Sequence, residues 1–180
     1  MVASCGGKVV KHGNKSITSK SGSADFLARA GVNINNDKAN AVSAFNQFGI
    51  TFLFAPTYHQ RLKYVAAQRK ALGVRTVFNV VGPLVNPANP DYQIIGTSDS
   101  QINEAVINVL KNRGLSRAMV VTSNDGIDEL SITSTASVHE LRHNEISSYE
   151  INPEDYDIAR CPIKDIQVET LEEAYLYGIE

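Results

Sequence analysis

From Ile50 to Phe54 the chain carries an apolar run of strand length, bracketed by Gly49 and Pro56. A strand apolar along its length suits burial on both faces, as in a parallel sheet covered by helices. The flanking pattern agrees. Ala39, Val42, Phe45 and Phe48 fall at helical spacing before Gly49, and a second helix is expected over Gln60 to Leu72, stopped by Gly73. Val74 to Val81 follows as the next element of the alternation and leads into Gly82-Pro83-Leu84-Val85-Asn86-Pro87, where two prolines and a glycine predict a non-helical loop. A strand at Gln93 to Thr97, a helix from Ser100 to about Arg113 and a strand at Ala118 to Thr122 continue the alternation. In that helix Ile102, Val106, Val109 and Leu110 should face inward. The period then changes. Val138 to Arg142 and Ile146 to Ile151 flank His143-Asn144-Glu145, which predicts a hairpin added to the parallel part. The expected class is α/β, a mainly parallel sheet flanked by helices with a small β-hairpin.

The chain has 180 residues, 43% hydrophobic and 20% charged, enough for one core, so a single domain over residues 1–180 is expected. Cys5 and Cys161 are far apart and form no metal-ligand pair. No signal-like or membrane-length apolar run occurs, which points to a cytoplasmic protein with no membrane partner. Charge is distributed unevenly. Through residue 90 there are eleven Lys and Arg against two acids, Asp25 and Asp37; the remainder holds six basic residues and seventeen acids. The first half therefore suits an anionic ligand. Nucleic acid is disfavoured, because the basic residues are dispersed, tryptophan is absent and the sequence pI is about 6.1.

The anionic ligand has an expected seat. Residues Lys11 to Asp25 hold three lysines, a histidine, two glycines and five hydroxyl side chains ahead of their first carboxylate. Glycines admit close backbone approach, N–H groups and hydroxyls donate to oxyanions, and lysines neutralise phosphate charge. A helix should follow directly, with Ser23 as N-cap and Gly31 as its stop. Two further positions stand out. Leu62, Val65, Arg69 and Leu72 share one helical stripe, so Arg69 faces inward and needs either an internal carboxylate or a bound one. Asp128 and Glu129, adjacent after the Ala118 to Thr122 strand, read either as solvated surface or as hard oxygen donors for a cation.

Several blocks, in order, resemble the anthranilate phosphoribosyltransferase family: Lys11-His12-Gly13-Asn14, Ser19-Lys20-Ser21-Gly22-Ser23-Ala24-Asp25, Phe54-Ala55-Pro56 with His59, Arg69 to Asn79, Gly82-Pro83-Leu84 with Asn86-Pro87, and Gly126-Ile127-Asp128-Glu129. The resemblance runs from residue 3 to about 175. It implies the nucleoside phosphorylase/phosphoribosyltransferase-like catalytic fold. It further implies transfer of ribose 5-phosphate from phosphoribosyl pyrophosphate to the amine of anthranilate in tryptophan biosynthesis, with Mg²⁺ as cofactor. No covalent nucleophile is needed, because anthranilate brings its own amine. By the same resemblance Lys11, Ser19 and Ser23 belong to the phosphoribosyl pyrophosphate site. His12, Asn14, His59 and Arg69 would line the anthranilate path with Pro83 as an apolar wall, and Asp128 and Glu129 would hold Mg²⁺. For intact family members the resemblance implies homodimers.

Departures shape the expectation. Lys15 stands where an arginine is usual, which keeps the charge and loses the bidentate fork. The family's amino-terminal helical domain, its Gly-Thr-Gly-Gly-Asp loop and its last helices have no counterpart in these 180 residues. The chain alone is accordingly expected to have little or no activity. The alternatives are a non-catalytic remnant or binding module, and a pyrimidine nucleoside phosphorylase-like enzyme, which the His-Gly-Asn and Gly82-Pro83-Leu84 blocks disfavour.

Overall fold

In the computed structural model the apolar run forms strand β2 (Ile50–Phe54), paired in parallel with β1 (Val9–Gly13), Val9 opposite Ile50 and Gly13 opposite Phe54. The structure describes residues 2–15, 21–62, 64 and 78–179. They fall into two compact units, Met1–Ala88 with Val168–Glu180, and Asn89–Gln167.

In the first unit, helix α1 (Ser23–Arg29) follows β1, and helix α2 (Lys38–Phe48) precedes β2. The sequence places Asp37 just ahead of α2, and its carboxylate accepts the Asn40 N–H at 2.8 Å, satisfying a free donor of the first turn. Gly49 ends α2 at φ +71°, a left-handed position that glycine adopts without Cβ strain. The cap of α1 differs from expectation. Gly22 is the N-cap and Ser23 the first helical residue; the Asp25 carboxylate reaches back to accept the Gly22 N–H at 3.2 Å, the second half of a capping box. Ala24, Ile34 and Phe52 form the buried centre, with Leu27 and Phe54 packed against it. The α2 stripe is also shifted. Ala41 is buried, whereas Val42 and Phe48 are exposed.

After β2 the chain turns straight into α3 (Ala55–Tyr58), with Pro56 in its first turn, where a missing N–H costs nothing. Gln60–Leu62 is a single 3₁₀ turn, and apart from Tyr64 the remainder of the expected Gln60 to Leu72 helix, Arg69 included, lies outside the described residues. The Gly82-Pro83-Leu84 segment corrects the sequence reading: it closes helix α4 (Phe78–Leu84) instead of forming an irregular loop. Proline withholds only one N–H near the end of so short a helix, so the penalty that breaks a long helix is small here. Beyond it, buried Asn86 donates to the Val10 carbonyl at 3.3 Å and accepts the Ala88 N–H at 3.0 Å, tying this loop to β1.

A later helix, α6 (Leu171–Ile179), returns to this unit against α1. Arg29 meets Glu172 through two hydrogen bonds of 2.7 Å, and Phe26 packs on Tyr175 with ring centroids 5.6 Å apart. The ion pair is exposed, so the aromatic contact and the close approach of Gly178 to Phe26 fix the helix more than the charges do.

The second unit is a four-stranded mixed sheet in the order β3-β4-β5-β6. Strands β3 (Tyr92–Gly96) and β4 (Arg117–Ser123) are parallel and joined by helix α5 (Asn103–Asn112), while β5 (Ala136–Arg142) and β6 (Glu145–Ile151) add antiparallel. The hairpin is as expected. His143 and Asn144 turn it at φ +52° and +62°, the pair of positive angles that a two-residue primed turn requires. Ile107, Leu110, Val120, Val138 and Leu141 are fully buried. Val109, expected inward, is 40% exposed, because the buried stripe of α5 runs through Asn103, Val106, Ile107 and Leu110 and leaves Val109 at its side. Asn103 is fully buried in the same stripe. Its amide accepts from Thr97 at 2.5 Å and donates to Thr122 at 3.0 Å, linking α5 to both parallel strands.

Candidate functional site

Ligands of open α/β sheets gather beyond the carboxyl ends of the parallel strands. In the first unit those ends are Gly13 and Phe54. His12 precedes the end of β1, and the turn of α3 after β2 carries His59 back over it, with the His59 N–H donating to the Ala55 carbonyl at 2.8 Å. The two imidazoles meet Nε2 to Nε2 at 3.1 Å, their centroids 5.0 Å apart and their planes nearly perpendicular. Burial, and then the neighbouring His59, push the His12 pKa below its ordinary value of 6.5. A single proton can occupy the space between the two nitrogens, so one ring donates and the other accepts.

Tyr58 adds a polar group that no motif or spacing singled out. Its hydroxyl is buried without a hydrogen-bond partner among the described residues, and burial, with Asp37 second, raises its pKa. An open hollow of about 460 Å³ is lined by Thr57, Tyr58, His59, Gln60 and Arg61.

The other residues expected here are placed as follows. Lys11 is exposed and, by strand alternation, leaves β1 on the face opposite His12. Asn14 lies just past the strand, exposed, its side chain accepting the Lys15 N–H at 2.8 Å. Ser23 opens α1 and Pro83 sits in α4, both exposed. Ser19 and Arg69 lie outside the described residues. Of the expected anthranilate residues, the structure thus brings His12 and His59 into contact.

Asp128 and Glu129 belong to the second unit, in the loop between β4 and β5, and both are exposed. Their backbone is held firmly. The Ser123 hydroxyl donates to the Glu129 carbonyl at 2.6 Å and accepts the Ser131 N–H at 3.0 Å, and the Ser123 N–H donates to the Ile127 carbonyl at 2.9 Å. Asp125 accepts from Ser131, from Thr133 and from the Ile127 N–H, which lowers its pKa against the opposing effect of burial. No cluster of three or more metal-ligating side chains occurs among the described residues. Two adjacent hard oxygen donors fit an ion that keeps most of its water, as Mg²⁺ does. Ser123, which holds this loop, carried no signal in the sequence.

Residues 1–177 match the model of the glycosyl transferase family, a/b domain. The chain belongs to that family. Among its curated relatives are the anthranilate phosphoribosyltransferases of Acetivibrio thermocellus, 45% identical over 166 residues that make up 92% of this chain and 48% of the relative, and of Persephonella marina, 45% identical over 167 residues, 93% and 49%. The crystal structure of anthranilate phosphoribosyltransferase from Thermus thermophilus superposes with a TM-score of 0.88 at 34% identity, covering 98% of this chain and 52% of that one. That of the Saccharomyces cerevisiae enzyme, in complex with PRPP and Mg, has the same fold with a TM-score of 0.82 at 24% identity, covering 92% and 46%. The chain spans about half the length of the relatives it matches. The resemblance and the α/β class read from the residues are both borne out by these glycosyl transferase family members.

Proposed function

We propose that this chain acts as the catalytic α/β domain of an anthranilate phosphoribosyltransferase, transferring the phosphoribosyl group of phosphoribosyl pyrophosphate to the amine of anthranilate in tryptophan biosynthesis. The observation that carries this reading is the His12–His59 contact at the carboxyl ends of the parallel strands, in a chain 45% identical to such enzymes. The amine nitrogen bonds to the anomeric carbon, the bond from that carbon to pyrophosphate breaks, and the amine loses a proton. Pyrophosphate leaves.

In this reading His12, His59 and Asn14 orient anthranilate, Arg69 takes its carboxylate bidentately, and Pro83 supplies an apolar wall. Lys11, Ser19 and Ser23 bind phosphoribosyl pyrophosphate through charge and hydroxyl donors. Asp128 and Glu129 would hold Mg²⁺, which when bound neutralises charge on the departing pyrophosphate. The yeast protein of the same fold, in complex with PRPP and Mg, supports the choice of ligands. Residues 1–180 form one such domain in this account, as the family match across both units supports. The reading includes a cytoplasmic setting; no helix among the described residues is long and apolar enough to cross a membrane.

The test is calorimetric titration with phosphoribosyl pyrophosphate and Mg²⁺, then anthranilate, alongside loss of anthranilate fluorescence as turnover. Ordered binding of both substrates supports the reading, with or without turnover by the chain alone. Failure to bind either would overturn it, as would preferential binding of a pyrimidine nucleoside.

A further inference from the structure

The chain contains four histidines. His139 and His143 belong to β5 and its turn in the second unit, whereas His12 and His59 present their Nε2 atoms to each other at 3.1 Å. Two nitrogens bound to one Zn²⁺ at about 2.0–2.1 Å stand about 2.9 Å apart at a right angle and about 3.4 Å apart at the tetrahedral angle. The observed separation lies between these limits, so reorienting the rings toward a common point admits an ion without a change in the distance between the two nitrogens. We propose that His12 and His59 form a two-imidazole chelate for a divalent ion of the Ni²⁺, Cu²⁺ and Zn²⁺ group, bound through both Nε2 atoms with water completing the shell.

The donor chemistry selects these ions over Mg²⁺, which prefers oxygen. No third His, Cys, Asp or Glu joins the pair among the described residues, so the bound ion keeps open positions and exchanges. Binding requires neutral rings, and burial already favours the neutral form of His12. The proton shared between the two Nε2 atoms moves to the Nδ1 of its own ring, so no net proton is released. The site needs no substrate, and its metal titration is decided without reference to the transferase reading, which gives the same two rings to anthranilate.

Zn²⁺ alone, titrated in competition with a colorimetric chelator into protein carrying Cys5→Ser and Cys161→Ser, tests it. One ion per chain is expected. His12→Ala and His59→Ala should each weaken binding by at least the roughly tenfold cost of losing an outer-shell partner. His139→Ala with His143→Ala should leave it unchanged, Cu²⁺ should bind tighter than Zn²⁺, and excess Mg²⁺ should not displace either. No binding by the parent protein, or loss that follows His139 and His143 instead, overturns the proposal. Should the His12 or His59 variant fail to fold, Cu²⁺ broadening of the imidazole proton resonances of the parent protein decides: the proposal requires the two signals of His12 and His59 to broaden first, and broadening of neither contradicts it.

Discussion

Gly96 and Asp128 meet backbone against backbone: a Cβ on residue 96 would overlap the Asp128 carbonyl oxygen. The last residue of β3 must therefore be glycine for the loop carrying Asp128 and Glu129 to lie where it does. Gly96→Ala should destabilise the protein by about 1–3 kcal/mol, the range for overpacking at a tight contact. Urea denaturation measures this. If the two carboxylates hold Mg²⁺, calorimetric Mg²⁺ affinity in Gly96→Ala should fall as it does in Asp128→Ala; unchanged affinity in both variants would remove the ion from this loop.

The His12 imidazole predicts a pH dependence with a definite sign. Its native pKa lies below 6.5, so just below that pH the unfolded chain binds a proton that the native state refuses. The stability contribution is intact above about 6.5, and is lost as pH falls from there through the lowered native pKa. Urea midpoints taken between about pH 5 and 8 should fall toward acid, and His12→Gln should flatten that part of the curve.

The buried Thr97–Asn103–Thr122 network makes a separate prediction in the second unit. Asn103→Ala removes an amide that bonds both hydroxyls, at a cost of about 1–3 kcal/mol. Because the three groups share hydrogen bonds, Asn103→Ala and Thr122→Ala together should cost less than the sum of the separate losses. A double-mutant cycle in urea checks this, and strict additivity would mean the groups act independently.

The hairpin turn offers a stabilising substitution. His143 and Asn144 both hold positive φ, which Asn-Gly supports better than His-Asn. Replacing His143→Asn and Asn144→Gly together should raise stability by up to about 1 kcal/mol, whereas His143→Val should lower it, as thermal unfolding would show.

The sequence made the second unit legible where local signals were strong. Alternation fixed β3, β4 and the hairpin, and the Gly49 stop marked the junction of α2 and β2 within a residue. It misled where a breaker stood near an element's end: Pro83 in α4 withholds one hydrogen bond and no more, so the short helix survives it. Facing was harder than existence. In α5 the buried stripe begins at the polar Asn103 and passes through Val106, Ile107 and Leu110, so an apolar reading missed its phase and placed Val109 inward. In the candidate site, the histidines were legible as motif members, but their contact depends on the turn of α3, and the orphaned Tyr58 hydroxyl depends on packing.

The central claim is that the His12–His59 pair receives an aromatic acid beside a bound sugar phosphate. Anthranilate titrated calorimetrically into protein saturated with phosphoribosyl pyrophosphate and Mg²⁺, in parent, His12→Ala and His59→Ala forms, measures it most directly. The account predicts saturable binding by the parent, weakened in both variants while phosphoribosyl pyrophosphate binding persists. Anthranilate binding of equal strength in all three proteins, or in none of them, would contradict it.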